Sequence, residues 1–198
     1  MDLLLIRHAL PLRLEQPEGT LADPSLSEEG RRQAQQLAAW LAREPIEAVY
    51  ASPLRRARET AERLAGALAL EVRLEPALVE FNRQSSRYVP LEEIQAEDPE
   101  RYRVLVRGAL YAGVDLAAFR RRVCDALGRI ACAHPGSRVA VVCHGGVVNA
   151  WAADVLGLEA TLFFQPGYAS ISRFRMARSG ERGVSSLGET AYLHPIPA

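Results

Sequence analysis

A chain of 198 residues, 48% hydrophobic and 24% charged, has the composition of an ordinary soluble globular protein and the length of one domain with a sizeable core. Its 24 basic and 24 acidic residues cancel, so no global field recruits nucleic acid or a membrane surface, and no apolar stretch is long enough to span a bilayer. The opening MDLLL lacks the features of a secretory leader, and the three cysteines, Cys124, Cys132 and Cys143, are odd in number without metal-ligand spacing, so a reducing, cytoplasmic setting is expected.

Residues 3–11, LLLIRHALP, run from pure apolar side chains into Arg7 and His8. An apolar run bounded by turn residues reads as a strand buried on both faces of a parallel sheet. Its polar end then emerges at the carboxyl edge, where open α/β sheets bind ligands. Ser27, followed by Glu28 and Glu29, marks a helix start, continued by the apolar stripe Ala34, Leu37, Ala38 and Leu41. PIEAVYAS, residues 45–52, reads as a short strand. Residues 53–69 read as a helix burying Ala57, Ala61, Leu64, Ala65 and Leu68, and LEVRLE, 70–75, as a third strand. This alternation predicts a three-layer α/β/α sandwich around a mostly parallel central sheet.

Residues 81–114 break the rhythm. NRQSSRYVP is polar and irregular, and Asp98-Pro99 looks like the start of a short helix that Gly108 can end. The segment is expected to be an insertion over the sheet edge rather than a second domain. Asp115 then caps a helix with Leu116, Phe119, Val123, Leu127 and Ile130 on one face, which holds Cys124 and Cys132 two turns apart, too far for a disulfide. HPGSR turns the chain into a second apolar run, VAVVC, which ends in His144-Gly145-Gly146 and leads into a helix closed by Gly157.

Four elements are thereby predicted to meet on one edge of one sheet: Arg7-His8, the turn into a helix SPLRRARETA (52–61), Glu80 after the third strand, and His144 before a glycine pair. A histidine at a strand end can attack phosphorus and form a phosphohistidine, which splits one displacement into two. The phosphoryl oxygens then need cationic forks and helix N-terminal amides around them. Arg7, Arg56, His144 and the amides that follow it, Gly145 first, are suitable donors. Glu80 adds a carboxyl group able to protonate the leaving oxygen and then to take a proton from water. All 24 basic residues are arginine; that absence of lysine reads as genome-wide base composition, so only the placement of individual arginines carries weight.

In order along the chain, LLIRHA, LSEEGRRQAQQLAAWL, SPLRRARETA, LVEF and VVCHGGVVNA resemble the successive motifs of the histidine phosphatase superfamily, the phosphoglycerate mutase-like fold, in its branch of small phosphatases. The resemblance runs from residue 3 to about residue 157, and the tail ASISRFRM…GETAYL is similar to the family's last strands. It implies a single domain over residues 1–198, with His8 as nucleophile, Glu80 as proton donor, and Arg7, Arg56 and His144 as the phosphate pocket beside Gly145. It also implies phosphomonoester hydrolysis without metal or cofactor. The alternatives are phosphoglycerate mutase-type phosphoryl transfer and, outside the enzymes, a catalytically silent phospholigand-binding module. The expected partner is a small anionic phosphorylated metabolite, with no nucleic acid or membrane, and a homodimer is left open. Two departures, ALPLRLE after His8 and FNRQSSRY in place of the family's tryptophan-containing segment after the donor glutamate, touch the substrate rather than the chemical step.

The remaining polar and aromatic residues have plainer readings. Cys143 is a small core residue, Ser52 a helix cap, Arg55 and Arg58 solvated surface, and His134 and His194 surface residues without partners. Trp40 and Trp151 are expected to pack on helical stripes. Arg83 and Arg87 in the insertion are candidates to contact an anionic substrate.

Overall fold

The computed structural model describes residues 1–81, 85–106 and 111–194. In chain order the elements are β1 (Asp2–Arg7), β2 (Leu14–Glu15), α1 (Glu28–Leu41), β3 (Ile46–Ala51), α2 (Arg55–Leu68), β4 (Val72–Leu74), β5 (Arg87–Tyr88), α3 (Leu91–Glu97), α4 (Pro99–Val106), α5 (Leu116–Ala133), β6 (Arg138–Cys143), α6 (Gly145–Leu156), β7 (Ile171–Met176) and β8 (Arg182–Glu189). The two wholly apolar runs, β1 and β6, lie side by side and parallel in the middle of a six-stranded sheet ordered β4-β3-β6-β1-β7-β8. Strands β3 and β4 extend the parallel part, and β7 and β8 close the other edge antiparallel. The sheet is therefore mostly parallel, as expected; the antiparallel pair follows from a connection between β7 and β8 too short for a crossover.

Alternate residues of the central strands face opposite ways, so each strand feeds two cores. Leu3, Leu5, Val139, Val141 and Cys143 pack under α5 and α6, with Phe119, Val123, Leu127 and Trp151. Leu4, Ile6, Ala140 and Val142 pack under α1 and α2, with Leu37, Leu41, Ala57, Ala61 and Leu64. These are the three layers that the element pattern predicts. Burying each such leucine or valine contributes about 1.5–3 kcal/mol.

The helix starts are set by polar side chains. Ser27 Oγ accepts the amide of Gly30 at 3.0 Å, Asp115 accepts that of Ala118 at 2.8 Å, and Asp98 accepts that of Arg101 at 3.0 Å at the head of α4. Gly157 ends α6 with φ of 67°, the left-handed conformation that suits glycine. Cys124 and Cys132 both lie on α5 and are free thiols.

The segment 81–114 holds more order than its irregular sequence suggests: α3, α4, and β5, which pairs antiparallel with β2. Arg83 and Gly108 fall outside the described residues. Trp40 is 52% exposed and stacks on Tyr192, so only Trp151 packs as predicted. His134 is not without a partner, since its Nε2 lies 3.0 Å from the Tyr50 hydroxyl. Among the described residues no helix is long and apolar enough to cross a membrane.

Candidate active site

The carboxyl ends of β1, β3 and β6 and the chain after β4 deliver their polar residues to one cleft of about 740 Å³, which Arg7, His8, Arg56, Glu80, His144 and Gly145 all line. The sheet's own hydrogen bonds fix His8 and His144 relative to each other. Arg7 pairs with Cys143 across β1 and β6, the His8 amide continues that ladder to Cys143 O at 2.9 Å, and the two imidazole centres stand 5.1 Å apart.

His8 is held in one tautomer. Its Nδ1 lies 2.8 Å from the Ala9 carbonyl, which can only accept, so Nδ1 carries the proton and Nε2 keeps a lone pair. That lone pair accepts the Arg56 Nε–H at 3.2 Å. Burial first, and then the charges of Arg56 and Arg7, hold the His8 pKa well below the usual histidine range. His144 is depressed in the same way, by burial and then by Arg56, His8 and Arg7.

Arg7 and Arg56 are both almost fully buried, and each is roofed by a tyrosine. The Arg7 guanidinium lies 3.6 Å from the ring centre of Tyr168, donates to Pro166 O at 2.6 Å and approaches Glu92 at 3.6 Å. That of Arg56 lies 4.7 Å from the ring centre of Tyr88, and the two phenol oxygens are 3.3 Å apart. The pair joins β5 to the segment before β7, so the segment 81–114 helps roof the cation pocket. Stacking on an aromatic face suits a desolvated guanidinium.

Glu80 accepts the Gly146 amide through Oε2 at 2.9 Å and the Phe81 amide through Oε1 at 3.0 Å. Burial nonetheless raises its pKa above the ordinary carboxylate value, against the pull of those amides and of Arg56 and Arg7. Arg122 on α5 binds the carbonyls of Ala77 and, at 2.9 Å, Val79, which fixes the chain leading to Glu80. The first glycine of the pair, Gly145, opens α6 beside Arg7. The second is sterically required: a Cβ on Gly146 would sit 2.2 Å from Glu80 Oε1 and 2.7 Å from Phe81 Cδ1.

Ser52 is not the cap of α2, whose N-cap is Leu54 without a side-chain bond. It is fully buried, and its Oγ lies 2.8 Å from His144 Nε2 while accepting the Leu54 amide at 3.4 Å. Either group can donate in that contact, and His144 Nδ1 is a buried atom bonded to none of the described residues. Asn149, one turn into α6, uses its whole amide. It donates to Gly145 O and Phe164 O and accepts the amides of Phe163 and Phe164, tying the loop before β7 to the glycine turn. Arg55 and Arg58 face solvent in i,i+4 ion pairs, as expected. Arg87 pairs with Glu15 at 3.1 Å. Cys143 is buried, which pushes its thiol pKa up and leaves it inert.

The six residues singled out from the sequence, Arg7, His8, Arg56, Glu80, His144 and Gly145, line one cleft, while the supporting roles of Ser52, Tyr88, Arg122, Asn149 and Tyr168 are not read from it. The doubled glycine before a helix was a local signal for Gly146 alone.

Comparison with known proteins agrees with this geometry. The model of the histidine phosphatase superfamily, branch 1, matches residues 3–187. Phosphoserine phosphatase 1 of Hydrogenobacter thermophilus is 33% identical over 175 residues, covering 84% of this chain and 82% of that protein. A bifunctional protein of Mycobacterium tuberculosis is 31% identical over 198 residues; the match covers 96% of this chain, which spans about half (54%) of that protein's length. The fold matches that of a phosphoserine phosphatase from Entamoeba histolytica solved with phosphoserine, at a TM-score of 0.74 and 23% identity over 98% of this chain and 99% of that one. With the family model matched over residues 3–187, nearly the whole chain, this chain belongs to the histidine phosphatase superfamily.

Proposed function

We propose that the protein is a phosphomonoesterase that works through a phosphohistidine on His8. The observation that carries this reading is the His8 tautomer: Nδ1–H is committed to Ala9 O, and the Nε2 lone pair opens into a pocket holding two buried arginines. Nε2 forms the bond to phosphorus as the ester P–O bond breaks, and Arg56 exchanges its bond to Nε2 for a phosphate oxygen. Arg7, Arg56 and His144 meet the negative charge of the three equatorial oxygens, joined by the Gly145 amide at the start of α6. Glu80, whose pKa burial raises, acts in its acid form and gives its proton to the leaving oxygen, which departs as an alcohol. Water then attacks the phosphohistidine, Glu80 takes its proton, and the P–N bond breaks to return the lone pair to Nε2.

The substrate in this reading is a phosphorylated metabolite, anionic through its phosphate; a structural neighbour was solved with one such ester, phosphoserine. Two guanidiniums supply the charge neutralisation that a metal supplies in other phosphatases. The test is a reaction with a ³²P-labelled ester, quenched in alkali because phosphohistidine is acid-labile, with and without a chelator. Label on the wild-type chain and none on His8→Ala, with phosphate release untouched by the chelator, is the expected result. Equal label on His8→Ala would move the nucleophile elsewhere. Isomerisation of 3-phosphoglycerate faster than phosphate release would make the enzyme a mutase, and neither label nor release would make it a binding module.

A further inference from the structure

Beyond the phosphate pocket the cleft changes character. Its further wall is built by Phe81 after β4, Val89 after β5, Leu91 on α3, Leu105 on α4, and Leu162 and Phe163 before β7. Phe81 is the residue next to Glu80, and its ring touches the space beside Gly146 that the acid occupies. The group attached to the ester oxygen that Glu80 protonates must therefore leave the pocket across Phe81. Most of the described charges along this route already have a partner or a role. Arg7 and Arg56 belong to the phosphate, Arg87 is paired with Glu15, and Glu92, 3.6 Å from Arg7, would repel a second anionic group placed beside the phosphate. Among the described residues that line the cleft, Arg101, exposed on α4, is the remaining cation. The cleft volume, about 740 Å³, lies within the range of about 300–1,000 Å³ that holds drug-sized ligands, far more than a three-carbon acid fills.

We infer that this enzyme's substrates are monophosphates of extended, uncharged apolar or aromatic alcohols rather than compact phosphorylated carboxylic acids. The inference rests on the phosphatase reading above and names the substrate class for that same site. Apolar carbon laid along Phe81, Leu91 and Phe163 leaves water, while a carboxylate two or three bonds from the phosphate would meet apolar carbon and Glu92. Both effects act on the leaving group and leave the phosphoryl chemistry unchanged.

The test uses alcohols of nearly equal leaving-group ability, so that differences report binding of the chain: ethyl, butyl, hexyl and 2-phenylethyl phosphate, beside O-phosphoserine and 3-phosphoglycerate. Each methylene laid on an apolar wall is worth at most about fourfold, and kcat/KM is expected to rise about two- to fourfold per methylene, at least tenfold from ethyl to hexyl phosphate. The two phosphorylated acids should fall below ethyl phosphate. Leu91→Ser should shrink the hexyl-to-ethyl ratio, a change that a general loss of folding, which scales both rates together, does not produce. A flat alkyl series, or phosphoserine or 3-phosphoglycerate outrunning hexyl phosphate, would overturn the inference while leaving the phosphatase reading intact. Absence of phosphate release from every ester would instead strike the phosphatase reading itself.

Discussion

The proposed first step needs His8 deprotonated at Nε2 and Glu80 protonated, and burial moves each pKa in the direction its role requires. A histidine whose pKa is pushed below its usual value is neutral at neutral pH, so the nucleophile is lost only as pH falls through that depressed value. A carboxyl whose pKa is raised stays protonated above the usual glutamate range, and the acid is lost as pH rises through the raised value. The profile of kcat/KM for an alkyl phosphate should therefore be a bell, its acid limb below the ordinary histidine range and its alkaline limb above the ordinary carboxylate range. Glu80→Gln keeps the size and, through its one carbonyl oxygen, one of the two bonds from the Gly146 and Phe81 amides, but its NH2 cannot accept the other and delivers no proton to the leaving oxygen. It should lower kcat/KM by about 10²–10⁴-fold and abolish the limb that Glu80 causes. The second ionisation of the ester itself, near pH 6 for a phosphate monoester, remains in both profiles. An alkaline limb unchanged in Glu80→Gln would assign the acid to another group.

Within the elements, α6 does the most for its length: its start supplies amides to the pocket, Gly146 seats the acid, and Asn149 ties down the loop before β7. Gly146→Ala is expected to keep the helix, since alanine is the better helix former, yet its Cβ cannot coexist with the present position of Glu80. Hydrolysis of alkyl phosphates should drop at least tenfold while p-nitrophenyl phosphate, whose leaving group needs no proton, suffers less. Equal losses on both would mean that the substitution disturbs the phosphate pocket and not the acid. The elements most legible in the sequence are those whose signals are local. The apolar runs of β1 and β6 and the caps Ser27, Asp98 and Asp115 are read within four or five residues of where they act. Strands β2 and β5 have two residues each, too few for any period to show, and form only because they pair with each other. The same reason hides Tyr88 and Tyr168, whose meeting spans 80 residues of chain, and Ser52, whose partner His144 lies 92 residues on.

For the molecule as a whole, two imidazoles buried uncharged make stability depend on pH. Both folded pKa values are depressed, so below about pH 6.5 the unfolded chain binds protons that the folded one refuses. Their contribution is complete above the unfolded value and is lost as pH falls. Glu80, with its raised value, acts in the opposite sense from the ordinary carboxylate range upward. Between pH 7 and 5.5 each histidine should cost about 1 kcal/mol. Denaturant titrations at the two pH values should therefore show a larger loss for the wild type than for His8→Gln, and equal losses would place a charged His8 in the folded state. The ladder joining Arg7 to Cys143 and His8 to the same residue has a longer consequence. Neighbouring strands in any sheet stand about 4.8 Å apart, and the two imidazole centres, at 5.1 Å, inherit that spacing. The gauge of the reacting centre is thus the repeat of the backbone, common to every parallel sheet. The surrounding loops can be exchanged, lengthened or recomposed without resetting it, so lineages of this architecture are free to change diet while keeping one chemistry.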